Sequence, residues 1–157
     1  MNESKFTSKK LALIFVFSLV SIISIISFGI YFGMNYYKSF YPKSIVMNLS
    51  KLDVFTTPEQ QALGYQFRTE LCDTCGGLFD FPEKKILSFW MKNTLIDIDI
   101  IYLDENKVVV NRIIKPQKNT ESKQYSSITD AKYALEILSS RADMLNINIG
   151  DKLLFDY

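Results

Sequence analysis

The 157-residue sequence predicts a mainly β domain, α+β by strict count, built as an antiparallel sandwich or small barrel with two or three short helices and preceded by one transmembrane helix. Three observations give this prediction. Residues 11–34 form one apolar run without a charge. Six or seven short segments further along are rich in β-branched and aromatic residues, as strands are, and turn-forming residues separate them. No internal repeat of solenoid or propeller length is present, so one domain is expected.

The apolar run is long enough to be a membrane anchor. Its 24 residues would extend about 36 Å as a helix, against about 30 Å of bilayer hydrocarbon. A cleavable signal peptide has a shorter apolar core of about 7–15 residues, followed by small residues at the cleavage site. Here Phe28, Ile30 and Phe32 continue the run instead. The sequence therefore predicts an uncleaved anchor at residues 11–34 that contacts the lipid bilayer.

The charges before the anchor predict its orientation. Three lysines precede it, opposed by one glutamate, and positive residues favour the cytoplasmic side. We expect a single-pass protein of the cell membrane with residues 1–10 in the cytoplasm, a short stem at 35–43 and an extracytoplasmic domain at 44–157. Within the anchor, Gly29 and Gly33 have the spacing that lets two helices approach closely, which is one route to a homodimer.

Composition excludes several kinds of function. After residue 42 the chain has fourteen basic and sixteen acidic residues, a formal net charge of −2, whereas nucleic-acid binding needs a basic surface. The chain has no histidine, which excludes Ser-His-Asp and Cys-His nucleophiles and every histidine-containing zinc site. We therefore predict no nucleic-acid partner and no cofactor.

The strands are predicted from β-branched and apolar runs bounded by turn residues. They lie at 44–55 (one or two strands), 78–81, 86–91, 95–103, 107–114 and 152–157. The polar segment 116–127 is predicted to be a loop. A turn at 104–107 would join two of the strands into a hairpin.

Two helices are predicted from capping patterns. Thr57, Pro58 and Gln60 provide a hydroxyl cap, a proline in the first turn and a capping-box partner, which predicts a short helix to about residue 65. Ser139 or Ser140 is expected to cap a second helix over 141–145. Between them, 131–138 has helix-forming composition but also strand-like alternation, so the residues alone leave its structure open.

A polar tip follows an aromatic cluster near the middle of the chain. Trp90 precedes Lys92, Asn93 and Thr94, so polar groups are offered beside an aromatic surface, as in many sites for small ligands. The alternative is that Asn93 and Thr94 stabilise a tight turn through side-chain to backbone hydrogen bonds. Both interpretations stay open at this point.

Asp97 and Asp99 alternate with isoleucines in the next strand. Their shared face would place the two carboxylates about 6–7 Å apart, a spacing that permits acid–base or metal chemistry. The simpler interpretation is that this face is the solvated side of an antiparallel sheet.

Cys72 and Cys75 form a C-x-x-C pair. This spacing supports thiol–disulfide exchange when the first thiol begins a helix, but here Gly76 and Gly77 lead into a predicted strand. Two thiolates are also only half of a structural zinc site. In an oxidising compartment, a local disulfide that closes a loop is the favoured interpretation.

Five segments resemble the family called domain of unknown function 192, of bacteria and archaea. The central one is Phe-Trp-Met-Lys-Asn-Thr-Leu-Ile at 89–96; the others are 64–68, 76–79, 131–136 and Gly-Asp at 150–151. The sequence departs from the family pattern at Tyr65-Gln66, in place of Leu-Met, and at Asp97, in place of proline.

The resemblance implies a compact, jelly-roll-like or barrel-like β fold, often exported or membrane-tethered, and it favours a strand over 133–138. It implies no known reaction. It does imply a shared surface, so the candidate ligand-binding residues are Arg68, Trp90, Lys92, Asn93, Thr94 and Glu136.

The leading hypothesis is a membrane-anchored, extracytoplasmic binding or structural module without catalysis, for an unidentified ligand or protein. Two alternatives from other classes are a thiol–disulfide exchange protein using Cys72 and Cys75, and a metal-assisted hydrolase using Asp97 and Asp99.

Overall fold

The computed structural model describes residues 20–34 and 42–157. The chain divides into two compact units, and the second unit begins in the sequence at Pro42. In the first unit, residues 20–34 form helix α1. Across these two described ranges, no helix has both the length and the apolar character needed to cross a membrane.

The predicted anchor at 11–34 and stem at 35–43 lie partly outside the described residues, and the predicted cytoplasmic segment at 1–10 lies entirely outside them. These assignments stay predictions. The same holds for a homodimer through Gly29 and Gly33, both of which lie on α1.

The second unit is mainly β, as predicted. Its strands are β1 (Ser44–Val46), β2 (Lys51–Phe55), β3 (Cys75–Lys85), β4 (Ser88–Met91), β5 (Ile98–Leu103), β6 (Val109–Ile113), β7 (Thr120–Ser126), β8 (Ala131–Leu138) and β9 (Lys152–Leu154), and its helices are α2 (Pro58–Leu63) and α3 (Ser139–Met144).

The central sheet has five strands in the order β2-β3-β8-β5-β6. Two further sheets each have two strands, β1 with β9 and β4 with β7. The antiparallel pairing predicted from the sequence holds for four of the six strand pairs in the described residues, whereas the pairs β1–β9 and β2–β3 are parallel. None of the sheets among the described residues closes into a barrel. The jelly-roll-like description stays a prediction.

Apolar clusters cover both faces of the central sheet. On β5, Ile98, Ile100 and Tyr102 belong to one cluster, whereas Ile101 and Leu103 belong to the other. Neighbouring side chains of a strand point to opposite faces, so every residue of β5 is buried. Burying an Ile or Leu side chain contributes about 1.5–3 kcal/mol relative to leaving it exposed, so β5 is a main source of stability.

Local patterns predict α2 correctly. Thr57 caps it in a capping box with Gln60, and Pro58 occupies the first turn. The helix ends at Leu63, slightly before the predicted residue 65, because Gly64 adopts a positive φ of 44° that turns the chain away.

Two predicted elements differ from the structure. The segment 116–127, predicted as a loop, contains strand β7, whose residues are mostly exposed and pair with β4. Helix α3 begins at Ser139, two residues before the predicted start, so its N-cap position falls on Leu138, which has no group that can cap it. The Ser139 hydroxyl, predicted as a possible cap, donates to the Asp99 carboxylate. The ambiguous segment 131–138 is the strand β8.

Candidate functional site

A cavity of about 360 Å³ lies beside α2 and the chain that follows it. Its walls combine aromatic rings with uncharged polar groups and one carboxyl group. The lining residues are Gln61, Ala62, Leu63, Gly64, Tyr65, Gln66, Phe79, Phe81, Ser88, Phe89, Trp90, Thr94, Gln124 and Glu136. Cavities of this size, mostly apolar with a few polar groups, are typical of small-molecule sites.

Glu136 supplies the carboxyl group from the middle of the central sheet. It lies on β8 with Gly77 of β3 on one side and Ile100 of β5 on the other. The residue is only 4% exposed, and its side chain has no hydrogen-bond or ion-pair partner among the described residues. Burial raises the pKa of Glu136 to about 8, because an ionised carboxylate loses its hydration there.

The hydroxyl group of Tyr65, a residue that lines the cavity, is a second unpaired polar group. The residue is 2% exposed, and its hydroxyl has no hydrogen-bond partner in the described part of the chain. Burial, reinforced by the charges of Asp53 and Glu136, raises the pKa of Tyr65 above the ordinary range of a tyrosine. The hydroxyl therefore stays protonated and can both donate and accept a hydrogen bond.

The aromatic wall is built from rings that contact each other edge to face. The Phe79 and Phe89 centroids are 4.8 Å apart at 89°, and the Phe81 and Phe89 centroids are 6.4 Å apart at 85°. Such pairs contribute about 0.5–1.5 kcal/mol beyond their buried area, so these rings are well fixed.

Two side-chain amides at the cavity are fixed by hydrogen bonds. Gln61 Nε2 donates to the Phe55 carbonyl at 3.2 Å and to the Asp80 carbonyl at 2.9 Å. Gln124 Oε1 accepts from the Ser88 hydroxyl at 3.1 Å.

Three of the six predicted site residues line the cavity: Trp90, Thr94 and Glu136. Lys92 lies outside the lining, where its ammonium group pairs with Glu121 at 2.7 Å and lies 5.5 Å from the Trp90 ring centroid. Asn93 also lies outside the lining.

Asn93 stabilises the turn that follows β4. Its φ is 52°, in the left-handed region that Asn tolerates better than most residues. Its side chain donates to Gln66 Oε1 at 3.1 Å, and its carbonyl accepts from the Phe67 amide at 2.8 Å. Thr94 Oγ1 donates to the Lys92 carbonyl at 3.3 Å. The turn thus positions one wall of the cavity.

Arg68 also lies outside the lining. Its guanidinium group donates to Asp53 Oδ2 at 2.9 Å and lies 4.8 Å from the Tyr65 ring centroid. Arg68 therefore supports the Tyr65 ring from outside the cavity.

Asp97 and Asp99 do not form a common site. The Asp97 side chain is 65% exposed and pairs with Lys118 at 3.0 Å. Asp99 is fully buried and accepts hydrogen bonds from Arg112, the Lys115 amide and Ser139. The expectation that both lie on a solvated face is wrong for Asp99, because the second apolar cluster covers that face. Asp99 has its lone pairs occupied, which leaves no room for a metal ion.

Cys72 and Cys75 form a disulfide, as predicted. It closes the turn that leads into β3, with Cys75 as the first residue of that strand. No helix of the described residues begins at either cysteine, unlike the helix start at which exchange-active C-x-x-C pairs lie.

Sequence reasoning missed most of the cavity. Tyr65 lay within a matched motif but was noted only as a departure from the family pattern. No sequence pattern pointed to Gln61 or Gln124, because a glutamine that lines a cavity cannot be told from any other glutamine in a sequence. Gln61 lies on α2 and Gln124 on β7, and only the three-dimensional fold brings them to the same cavity as Glu136 of β8.

The fold and the cavity define a mainly β domain with one unpaired buried acid. The model of domain of unknown function 192, whose description is uncharacterized ACR, matches residues 43–155. The chain belongs to this family, which confirms the resemblance seen in the sequence.

Two solved structures share the fold. One is a protein of unknown function from Novosphingobium aromaticivorans, 33% identical over 64% of this chain and 71% of that chain, with a TM-score of 0.61. The other is a Sinorhizobium meliloti protein proposed to be a transcription regulator, 24% identical over 64% of this chain and 78% of that chain, with a TM-score of 0.62. No curated protein matches the chain significantly.

Proposed function

We propose that the domain is a non-catalytic binding module that holds a small ligand in the cavity beside α2. The observation that carries this proposal is the Glu136 carboxyl group, which is buried at the cavity and has no partner among the described residues. Buried polar groups are nearly always hydrogen-bonded, and each exception calls for an explanation.

A ligand explains the unpaired groups. Leaving a buried polar group without a partner costs about 1–3 kcal/mol, which a ligand would recover on binding. Glu136 provides hydrogen bonds, while Phe81, Phe89 and Trp90 provide apolar contact. Together they resemble the usual composition of a small-molecule site.

Binding is a better account than catalysis because Glu136 is the one acidic side chain in the cavity lining. A mechanism with separate acid and base groups would need a second group that titrates near neutral pH. The other lining group that titrates, Tyr65, has its pKa moved further from neutrality.

A fragment screen tests this proposal. The full chain in detergent micelles is titrated with a library of small aromatic and polar fragments while NMR shifts are followed. We expect hits to shift resonances of Gln61, Ser88 and Glu136. Ala62→Trp, which fills the cavity entrance, should abolish them, whereas Ile149→Trp, at an exposed position outside the cavity lining, should not. If no fragment distinguishes the two variants, the proposal is wrong.

We further propose that the chain is tethered to the cell membrane and that the domain is extracytoplasmic. The support is the uncharged run at 11–34 with lysines before it, together with a disulfide of the kind found in oxidising compartments. A reporter fused after Tyr157 tests this. An enzyme active only outside the cytoplasm should work there, and a reporter that works only in the cytoplasm would contradict the proposal.

A further inference from the structure

We infer that the cavity takes a small organic cation, with a primary ammonium group of the ligand on the Glu136 carboxylate and its hydrocarbon part against the aromatic wall. This inference rests on the proposed function and specifies the ligand class of the same site.

The charge of the cavity points to a cation. No lysine or arginine lines it, and Glu136 is its one acidic group. An anion would meet a group that becomes negative and would find no positive side chain in return. A cation would give the buried carboxylate the opposite charge that it lacks, in surroundings where hydrogen bonds between charged groups are strong.

Arg68 and Lys92, which contact two of the rings that line the cavity, do not neutralise the Glu136 carboxylate. Arg68 pairs with Asp53 at 2.9 Å, and Lys92 pairs with Glu121 at 2.7 Å. Both lie outside the lining. Their charges are thus compensated by carboxylates other than Glu136, which stays available.

The aromatic rings favour the same ligand class. The Arg68 and Lys92 side chains already lie 4.8 Å and 5.5 Å from the centroids of the Tyr65 and Trp90 rings, both of which line the cavity. Cations are attracted to the faces of such rings, most strongly where water is excluded. Phe81 and Phe89 provide further apolar surface for the hydrocarbon part.

Binding is coupled to the loss of a proton. At pH 7 the Glu136 carboxyl group is mostly protonated, since burial raises its pKa to about 8. An incoming ammonium group keeps its own three protons, so the carboxyl proton must leave to solvent as the ion pair forms. Tyr65 and Tyr102, the titratable groups that interact with Glu136, have pKa values raised well beyond this range and stay neutral.

The experiment compares three matched probes on the full chain in neutral detergent micelles. These are benzylamine, benzyl alcohol and benzoate, which have similar rings and differ in charge. We expect NMR shifts at the cavity with benzylamine and at least tenfold weaker binding of the other two. Nα-acetyl-lysine methylamide forms a fourth arm, which separates a free amine from the side chain of a peptide as the source of the ammonium group.

Proton release gives an independent measurement on the unmodified protein. Calorimetry of benzylamine in buffers of different ionisation enthalpy should show a proton released at pH 7. The affinity should rise about tenfold per pH unit below pH 8, because only the ionised carboxyl group binds. Equal affinity at pH 6 and pH 8 would overturn the inference.

Glu136→Gln should remove benzylamine binding and its pH dependence, whereas the exposed control Glu70→Gln should keep both. If benzyl alcohol or another neutral fragment binds in the cavity and benzylamine does not, the cation inference fails while the proposed function stands. If no probe or fragment binds in the cavity, both fail.

Discussion

The ring of Tyr65 occupies the space that a side chain at Gly77 would need. A Cβ atom added at Gly77 would lie 2.9 Å from Tyr65 Cζ and 3.0 Å from its hydroxyl oxygen. Gly77 is also the cross-strand neighbour of Glu136. The absence of one methyl group on β3 therefore allows the tyrosine to lie next to the buried acid.

Gly77→Ala should displace the Tyr65 ring and destabilise the domain. Overpacking of a buried position costs about 1–3 kcal/mol, and urea unfolding followed by fluorescence measures the loss. Gly76→Ala is the matched control, because its added Cβ would lie 3.1 Å from Ile137 Cγ2 and 3.3 Å from the Glu136 carbonyl oxygen, which are longer contacts than those at Gly77. Its loss should be smaller, and equal losses would contradict this account of Gly77.

The stability of the domain should depend on the ionisation of Glu136. Its pKa is about 8 in the folded protein and near the ordinary 4.5 in the unfolded chain, so the folded state binds more protons between these values. Stability should be greatest below pH 4.5, as far as this group is concerned, and should fall by up to about 1.4 kcal/mol per pH unit up to pH 8.

Thermal unfolding at a series of pH values checks this dependence. Glu136→Gln keeps the shape but not the charge, so it should flatten the slope and raise the melting temperature at pH 8. A variant as pH-dependent as the original protein would show that another group titrates.

The buried pair of Asp99 and Arg112 should be essential for the fold. Asp99→Ala leaves Arg112 with the exposed Asp143 carboxylate alone and removes the acceptor of the Ser139 hydroxyl and the Lys115 amide. Breaking a buried ion pair in this way costs about 3–5 kcal/mol. Asp97→Ala removes an exposed side chain and should change stability by less than about 0.5 kcal/mol. Chemical denaturation of both variants measures the difference, and equal small effects would reopen the question of a site at Asp99.

The turn at Asn93 should be sensitive to backbone conformation rather than to charge. Asn93→Ala loses the bond to Gln66 and must hold a positive φ, so we expect a loss of about 1–2 kcal/mol. Asn93→Gly tolerates this φ and should lose less. Lys92→Ala removes an exposed ion pair and should be nearly neutral in thermal unfolding. A large loss for Lys92→Ala would contradict this division of roles.

The disulfide between Cys72 and Cys75 should stabilise the domain and take no part in thiol–disulfide exchange. It closes a very short loop, for which the loss of chain entropy predicts about 2 kcal/mol. Cys72→Ser with Cys75→Ser should lower the melting temperature but leave fragment binding intact. Thiol labelling in glutathione buffers should find the pair oxidised, and rapid reduction would favour the exchange protein considered in the sequence analysis.

Structural features that depend on a few neighbouring residues were predicted correctly. The cap of α2 depends on Thr57, Pro58 and Gln60 alone, and the disulfide joins cysteines three positions apart. The strand β7 was missed because its residues are mostly polar, and its pairing with β4 is what makes it a strand.

The sequence did not indicate that both faces of the central sheet are buried. Alternation placed Ile98 and Ile100 correctly in the core, but it assigned Asp99 to water. Arg112 makes that burial tolerable, and nothing near Asp99 in the sequence indicates the pairing. The importance of Glu136 came from the family resemblance, while its lack of a partner is visible only in three dimensions.

The parallel pairing of β1 with β9 joins Ser44 to Lys152. During synthesis, therefore, β1 stays unpaired until β9 has been made. A truncation that removes β9 should likewise leave β1 unpaired while every strand of the five-stranded sheet is still present.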